Sequence, residues 1–168
     1  MSANQIVLIA NRIYDCNVSA ACVSGLGSEC GDAAGVAIVF TSKVFVPNED
    51  EHSRLEVVGN SLNSSGNTIT QCTALQPPWP MVVSQYSAGG MLLLCPDPDL
   101  ANVRHNSWSS NGDVFTRNQG LEAAGAMHAI NIDQLIVNRG CFSSNCVNCP
   151  QKTKSSTSEC FVGGGISY

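Results

Sequence analysis

Charge is the property that this sequence has least of. Asp, Glu, Lys and Arg make up 12% of its 168 residues, against roughly 25% in ordinary soluble domains. Hydrophobic residues make up 43%, which is enough for a folded core and argues against disorder over the whole length. The surface is therefore covered by Ser, Asn and Gly, as in a neutral secreted-type β domain, or partly by another subunit.

Basic clusters are also missing. The net charge is −5, and the densest basic feature is the spaced pair Lys152 and Lys154. A protein that binds nucleic acid usually presents a basic patch that displaces counterions from the phosphates. We therefore expect no nucleic-acid partner.

Long apolar runs are absent as well. The most apolar stretch covers residues 89–95, far short of the roughly 20 residues that a membrane-spanning helix requires. The apolar run at 6–10 is also short and follows no basic residue, so we recognise no signal peptide. Nine cysteines nevertheless suggest oxidising surroundings. We expect an extracellular, virion-associated or surface-associated protein without a membrane span.

Short β-branched and apolar runs between turn-forming residues predict strands, and helix is scarce. The segment 119–126 is ambiguous and is interpreted as a short helix or turn. Asn111-Gly112 is the best hairpin turn in the chain. We expect strands near 4–10, 35–46, 54–59, 67–75, 80–86, 90–95, 112–117, 128–137 and 160–167.

This pattern predicts a mainly β fold, a single-domain sandwich, jelly roll or barrel of roughly eight short strands with cysteine-rich loops. We expect one domain over 1–168, with possible extended or strand-exchanging termini at 1–15 and 150–168. The fragment 57–70 resembles the turns and strands of β-helices, but a single copy predicts no solenoid. We find no convincing internal repeat.

Four cysteines are close together near the carboxyl end. The spacing Cys141-x4-Cys146-x2-Cys149 resembles the cluster loop of plant-type [2Fe-2S] ferredoxins, which implies thiolate ligands for iron. The fourth cysteine, Cys160, comes much sooner than that family's pattern requires, so we expect no bound iron and no cofactor. Zinc normally needs two close pairs of cysteines, and only Cys146 and Cys149 form one. A metal site at these four residues is therefore the weaker alternative.

Disulfides are the main use that we expect for the cysteines. Cys72 and Cys95 lie in predicted strands, where a buried free thiol is common. Nine is an odd number, so at least one cysteine stays unpaired or pairs between subunits. Local disulfides are expected within two groups, Cys16, Cys22 and Cys30, and Cys141, Cys146, Cys149 and Cys160.

Motifs for catalysis are missing. Cys95 is followed by Asp97 and Asp99, and the histidines His52, His105 and His128 are scattered. None of them belongs to a nucleophile elbow, a zinc-binding helix or a phosphate-binding glycine loop. We therefore predict no catalytic residue and no enzyme activity.

These observations favour a structural, self-assembling subunit of a virion, appendage or coat, stabilised by disulfides. The predicted strands at 4–10 and 160–167 contain no Lys, Arg or Pro to protect a sheet edge. We expect them to pair with further copies or with neighbouring structural subunits. A small redox or metal-binding protein that uses Cys141–Cys160, and a carbohydrate-binding or hydrolytic β domain, remain as alternatives.

Overall fold

The computed structural model describes residues 3–19, 33–40, 55–75, 88–95, 101–121, 124–147 and 165–167. These residues form eighteen short strands and no helix, which confirms the mainly β prediction. The strands are β1 Gln5–Ile9, β2 Arg12–Tyr14, β3 Asn17–Ser19, β4 Val36–Val39, β5 Leu55–Val58, β6 Ser61–Ser65, β7 Thr68–Thr70, β8 Thr73–Leu75, β9 Met91–Leu94, β10 Ala101–Arg104, β11 Ser107–Asn111, β12 Val114–Thr116, β13 Gln119–Gly120, β14 Met127–Ile130, β15 Gln134–Asn138, β16 Cys141–Ser143, β17 Cys146–Val147 and β18 Ile166–Ser167.

All pairings between these strands are parallel. Four sheets have four strands each, in the orders β1-β6-β11-β15, β2-β7-β12-β16, β3-β8-β13-β17 and β4-β9-β14-β18, and β5 pairs with β10. The chain thus visits the same sheets in the same sequence four times. We name these turns coil 1 (β1–β4), coil 2 (β5–β9), coil 3 (β10–β14) and coil 4 (β15–β18). The described residues form a parallel β-solenoid.

The solenoid is an internal repeat, so the expectation of no repeat is wrong. In the first three sheets, stacked residues are 56 positions apart between coils 1 and 2, 46 between coils 2 and 3, and 27 between coils 3 and 4, whereas in the fourth sheet they are 55, 36 and 39 positions apart. The spacing is unequal because the segments that connect the strands differ in length from coil to coil, while the strands themselves have similar lengths. A search for one fixed period therefore fails on this sequence.

Tight corners connect consecutive strands within each coil. Ala10, Gly66, Gly112 and Arg139 have positive φ at the corner after the first sheet. The corner after the second sheet uses Asp15, Gln71, Arg117 and Ser144 in the same way. A residue in this left-handed conformation turns the chain sharply. The hairpin predicted at Asn111-Gly112 is wrong, because this corner joins β11 to β12 in two different sheets.

The interior is built from rows of apolar side chains that stack along the solenoid. One row contains Leu62 and Trp108, and another contains Ile69 and Phe115, all of them fully buried. Phe115 also stacks on Phe142 of coil 4 with ring centroids 5.3 Å apart. The matching side chains of the end coils are only partly buried. Packing is therefore tightest in coils 2 and 3.

Several predicted strands have different boundaries in the structure. The segment 67–75 divides into β7 and β8, and 128–137 overlaps β14 and β15, because corners interrupt both. Gln119–Gly120 is strand rather than helix. The sandwich, jelly roll or barrel is not confirmed, because the sheets are parallel and stack coil upon coil. The strand expected at 80–86 lies outside the described residues.

Candidate functional site

The corners carry ladders of buried polar side chains. At the corner before the first sheet, the backbone N–H and Nδ2 of Asn4 both donate to Oδ1 of Asn60, at 3.1 and 3.0 Å. Asn60 donates in the same way to Asn106, at 3.0 Å for both bonds. The N–H of Asn106 donates to Asp133 at 2.9 Å. Each coil is thereby bonded to the next through side chains as well as through its strands.

Asp113 is the centre of the second ladder and is fully buried. Its Oδ1 accepts from the backbone N–H and the Nδ2 of Asn67, both at 2.8 Å. Its Oδ2 accepts from the hydroxyls of Ser64 and Ser110, both at 2.6 Å, and Trp108 Nε1 donates to Ser64 at 3.0 Å. A carboxylate with four donors satisfies its hydrogen-bonding capacity inside the protein. This cluster is therefore a structural element closed to ligands.

The third ladder changes chemistry along the solenoid. Its residues are Asn118 and Asn145 in coils 3 and 4, where Asn118 donates to Asn145 Oδ1 at 3.0 and 3.1 Å. In coils 1 and 2 the same corner holds Cys16 and Cys72, and the N–H of Cys72 donates to Asn118 Oδ1 at 3.0 Å. Two thiols thus replace two amides at the coil 1 end.

Coil 1 is the outermost of the described coils on one side, and its strand β1 has one edge without a described partner. Ser61 N–H donates to Asn4 O, and Ala10 N–H donates to Ser65 O, both at 2.9 Å. Because bonding alternates along a parallel strand, the even-numbered residues of β1 bond to β6 and the backbone groups of Gln5, Val7 and Ile9 point away from it. No described strand pairs with β1 on that side. The edge is therefore open among the described residues.

Apolar side chains cover the outer surface of this coil. Val7 is 52% exposed, and Ile9 and Tyr14 are both 65% exposed. We call these three residues the coil 1 patch. The stacked positions in coils 2 and 3 all carry hydroxyl or amide side chains, namely Asn63, Ser65 and Thr70 in coil 2 and Ser109, Asn111 and Thr116 in coil 3. In these three rows, the patch is therefore apolar where coils 2 and 3 are polar.

The opposite end of the solenoid is less apolar. Its residues in the same rows are Ile136, Asn138 and Ser143, of which Ile136 is a large apolar side chain that is 40% exposed. In the fourth sheet, Ile166 of coil 4 is 43% exposed and Val39 of coil 1 is 47% exposed. The strand predicted at 160–167 is described only at Ile166–Ser167, where β18 pairs with β14. Coil 1 is the stronger candidate for an interaction surface.

The cysteines proposed for disulfides or a metal do not converge among the described residues. Cys16 and Cys141 are free thiols, as are Cys72 and Cys95. Cys146 is disulfide-bonded, and its partner lies outside the described residues. Cys22, Cys30, Cys149 and Cys160 also lie outside them. The described part of the chain contains no group of three or more His, Cys, Asp or Glu side chains arranged to hold a metal ion.

The nucleophiles and bases considered from sequence lie apart. Cys95 is buried at the end of β9, and burial raises its pKa to about 12, which makes it a poor nucleophile at neutral pH. His105 is exposed at a corner. His128 is buried in β14, where burial lowers its pKa. His52, Asp97 and Asp99 fall outside the described residues.

Comparisons with known proteins return nothing that this chain is similar to. No family model, no curated protein and no solved structure matches it. Within the described residues, no helix has the length and apolar character needed to cross a membrane. The sequence predicts the strand at 4–10 but not the patch, which is visible only when coil 1 is aligned with coils 2 and 3 and Val7, Ile9 and Tyr14 lie opposite Ser, Asn and Thr.

Proposed function

We propose that this chain is a structural β-solenoid subunit that associates with a second copy of itself through the open edge of coil 1. The single observation that carries the proposal is the contrast between coil 1 and the coils below it. In the rows of Val7, Ile9 and Tyr14 its outer surface is apolar where coils 2 and 3 are polar, and its edge strand has backbone groups directed away from the stack.

Strand addition is the physical basis of this association. An unpaired edge binds a further strand through backbone hydrogen bonds, and the side chains beside it give specificity. Natural edges are commonly protected by charged residues or proline. The strand Gln-Ile-Val-Leu-Ile at β1 contains neither. Two copies of it meet without charge repulsion.

The interior of coil 1 adds a second contribution. Ile6, Leu8 and Ile13 pack against the core from one side and are only partly buried. A strand placed on the open edge extends the sheet and covers these side chains from the other side. Burial of apolar area stabilises such a contact by about 25 cal/mol per Å² before the cost of association is subtracted.

A two-fold arrangement fits β1 best. If two copies pair antiparallel about Val7, this residue faces its own counterpart and Gln5 faces Ile9 of the second copy. The outward-directed backbone groups of these three residues then form about six hydrogen bonds. Identical surfaces meet in such a contact, which closes as a dimer. The dimer is then the unit from which a larger structure is built.

Sedimentation velocity over a range of micromolar concentrations tests the proposal. The informative variant is Val7→Lys, which places a charge at the centre of the edge. The matched control is Ile136→Lys, which makes the same change in charge at the same row of coil 4. We expect the wild-type protein and Ile136→Lys to dimerise, and we expect Val7→Lys to dissociate at least tenfold more readily.

Two results would contradict this interpretation. A wild-type protein that remains monomeric from the lowest concentration measured to a concentration 100-fold higher would refute self-association. Equal weakening of the dimer by Val7→Lys and Ile136→Lys would refute the two-fold arrangement, because such a result would place coil 4 in the contact. Thermal melts of both variants confirm that the monomers are folded.

A further inference from the structure

The thiols of Cys16 and Cys72 are neighbours on adjacent coils. β3 pairs with β8 in a register that aligns Asn17 with Thr73. The preceding residues, Cys16 and Cys72, are therefore stacked as well. The N–H of Thr73 donates to the carbonyl of Cys16 at 2.7 Å. Adjacent strands lie about 4.8 Å apart, which falls within the range of Cα separations of disulfides, about 4.4 to 6.8 Å.

The two side chains also have matching conformations. Sγ of Cys16 donates to the carbonyl of Tyr14 at 3.6 Å, and Sγ of Cys72 donates to the carbonyl of Thr70 at 3.5 Å. Burial is the main cause that raises the pKa of Cys72, and the backbone and thiol of Cys16 also affect it, as expected for stacked neighbours. In coils 1 and 2, Cys16 and Cys72 therefore occupy the corner positions that Asn118 and Asn145 hold in coils 3 and 4.

Exposure distinguishes the two thiols. Cys16 is partly exposed at the end of the stack, whereas Cys72 is fully buried beneath it. A reagent in solution reaches Cys16 first, and Cys72 is the nearest described thiol. We propose that Cys16 and Cys72 form an inter-coil disulfide when the protein meets a low-molecular-weight disulfide such as oxidised glutathione.

The chemistry is a two-step thiol–disulfide exchange. The thiolate of Cys16 attacks one sulfur of oxidised glutathione, forming a mixed disulfide and releasing one glutathione thiolate. The thiolate of Cys72 then attacks Sγ of Cys16 and releases the second. Two protein thiols are oxidised, one glutathione disulfide is reduced, and the two protons leave with the glutathione. Burial raises the pKa of Cys72 to about 11, so the second step is the slower one.

Such a bond would hold the end coil to the rest of the solenoid. It differs from the local disulfide expected within Cys16, Cys22 and Cys30, because it joins residues of two different coils. Its closed loop runs from the corner before β3 to the corner before β8 and contains β3 to β7, and long loops are those in which a cross-link restricts the unfolded chain most. Its formation is independent of the proposed dimer.

Peptide mapping after incubation of the full chain with oxidised glutathione tests the proposal. We expect a cross-linked pair of peptides containing Cys16 and Cys72, about 2 Da lighter than the two reduced peptides together. We also expect the melting temperature to rise by roughly 10 °C. Cys95→Ser is the matched control, because it removes another buried thiol and leaves the pair intact. Cys16→Ser removes both the cross-link and the temperature shift.

Three outcomes would overturn the inference. Cys16 could be found linked to a different cysteine, it could remain as a stable mixed disulfide with glutathione, or it could stay reduced under conditions that oxidise Cys141. Each outcome is read directly from the mass of the peptide that carries Cys16. A temperature shift that persists in Cys16→Ser would assign the stabilisation to another cysteine.

Discussion

Coils 1 and 3 have the same corners and parallel strands but opposite surroundings. In coil 3, Asn106, Asp113 and Asn118 are fully buried between coils on both sides. In coil 1, Asn4 and Asn11 are exposed, and a thiol replaces the third polar side chain. The comparison teaches that position in the stack decides what an equivalent residue does. In an inner coil a corner residue joins neighbours, whereas in an end coil it is open to reagents and partners.

The outer surfaces differ in the reverse direction. Coil 3 presents Ser109, Asn111 and Thr116 to solvent, and coil 1 presents the coil 1 patch. If coil 1 were only exposed to solvent, its outer surface would be expected to be as polar as that of the inner coils. The apolar exception therefore belongs with the open edge as one surface.

The largest expected effect on stability concerns Asp113, in the buried ladder of coils 2 and 3. Asp113→Ala leaves four donors without their acceptor inside coils 2 and 3, and we expect the free energy of unfolding to fall by about 4 kcal/mol. Asn11→Ala acts on the outer member of the same ladder and removes only the Nδ2 donor to Asn67 Oδ1, because the backbone N–H of residue 11 still donates to that oxygen. Because Asn11 is exposed, we expect a loss of no more than about 1 kcal/mol. Denaturant unfolding measures both values.

Asp113→Asn is the companion variant if Asp113→Ala does not fold. It keeps one acceptor oxygen for Asn67, and the hydroxyls of Ser64 and Ser110 can rotate to accept from the new amide. We expect an intermediate loss of stability. Equal losses for Asp113→Ala and Asn11→Ala would show that the inner and outer ladder positions contribute alike, which contradicts the comparison.

Strand character was predictable from sequence, and sheet pairing was not. The runs at 4–10 and 90–95 predicted strands, and β1 and β9 lie within them, because β-branched and apolar residues between turn formers are a local property. In the first three sheets the parallel stacking joins residues 56, 46 and 27 positions apart, and no local sequence pattern reports such a distance. The Asn-Gly pair at 111–112 indicated a turn correctly but could not indicate which strands it joins.

The candidate site was partly predictable for the same reason. The absence of Lys, Arg and Pro from residues 4–10 identified an unprotected strand. The stacking of Cys16 over Cys72 was hidden, because nearness along the chain favoured Cys22 and Cys30 as partners. Once the register is known, the sequence displays both features, since Ile13-x-x-Cys16 and Ile69-x-x-Cys72 align with Phe115-x-x-Asn118 and Phe142-x-x-Asn145.

A smaller effect on stability is expected at His128 of coil 3, a buried polar residue that does not belong to the hydrogen-bonded ladders. Nδ1 of His128 is the buried side-chain polar atom that lacks a hydrogen-bond partner among the described residues. The residue lies between Leu92 and Ser167 in the fourth sheet. The described strands beside it, β9 and β18, contain no charged or titratable group, and neither does the rest of β14. An added proton on His128 therefore meets no compensating charge from these strands.

Burial lowers the pKa of His128 below its unfolded value of 6.5. The unfolded chain therefore takes up the proton more readily, and stability is retained above about pH 6.5 and falls as the pH drops below it. One proton can account for at most about 1.4 kcal/mol between pH 7.5 and 5.5. We expect His128→Leu to flatten the stability profile in urea over this interval. An unchanged slope in the variant would assign the pH dependence to other groups.

The smallest expected effect compares the same corner in coils 1 and 2. Gly66 and Ala10 are stacked, are exposed, and have φ values of 62° and 54°. A Cβ added at Gly66 would meet no atom within 4 Å, so Gly66→Ala costs only the left-handed backbone conformation, about 1 kcal/mol.

The reverse change, Ala10→Gly, relieves that strain but increases the conformational freedom of the unfolded chain, and we expect a gain in stability of at most about 0.5 kcal/mol. Paired urea titrations measure both differences, and hydrogen exchange of the backbone amides of residues 10 and 11, which donate to Ser65 and Asn67 of coil 2, shows whether coil 1 opens separately. If coil 1 frays before the whole chain unfolds, Ala10→Gly slows exchange at these amides and leaves global stability unchanged. A loss of stability on Ala10→Gly as large as that of Gly66→Ala would contradict the positive φ at this corner as the common cause.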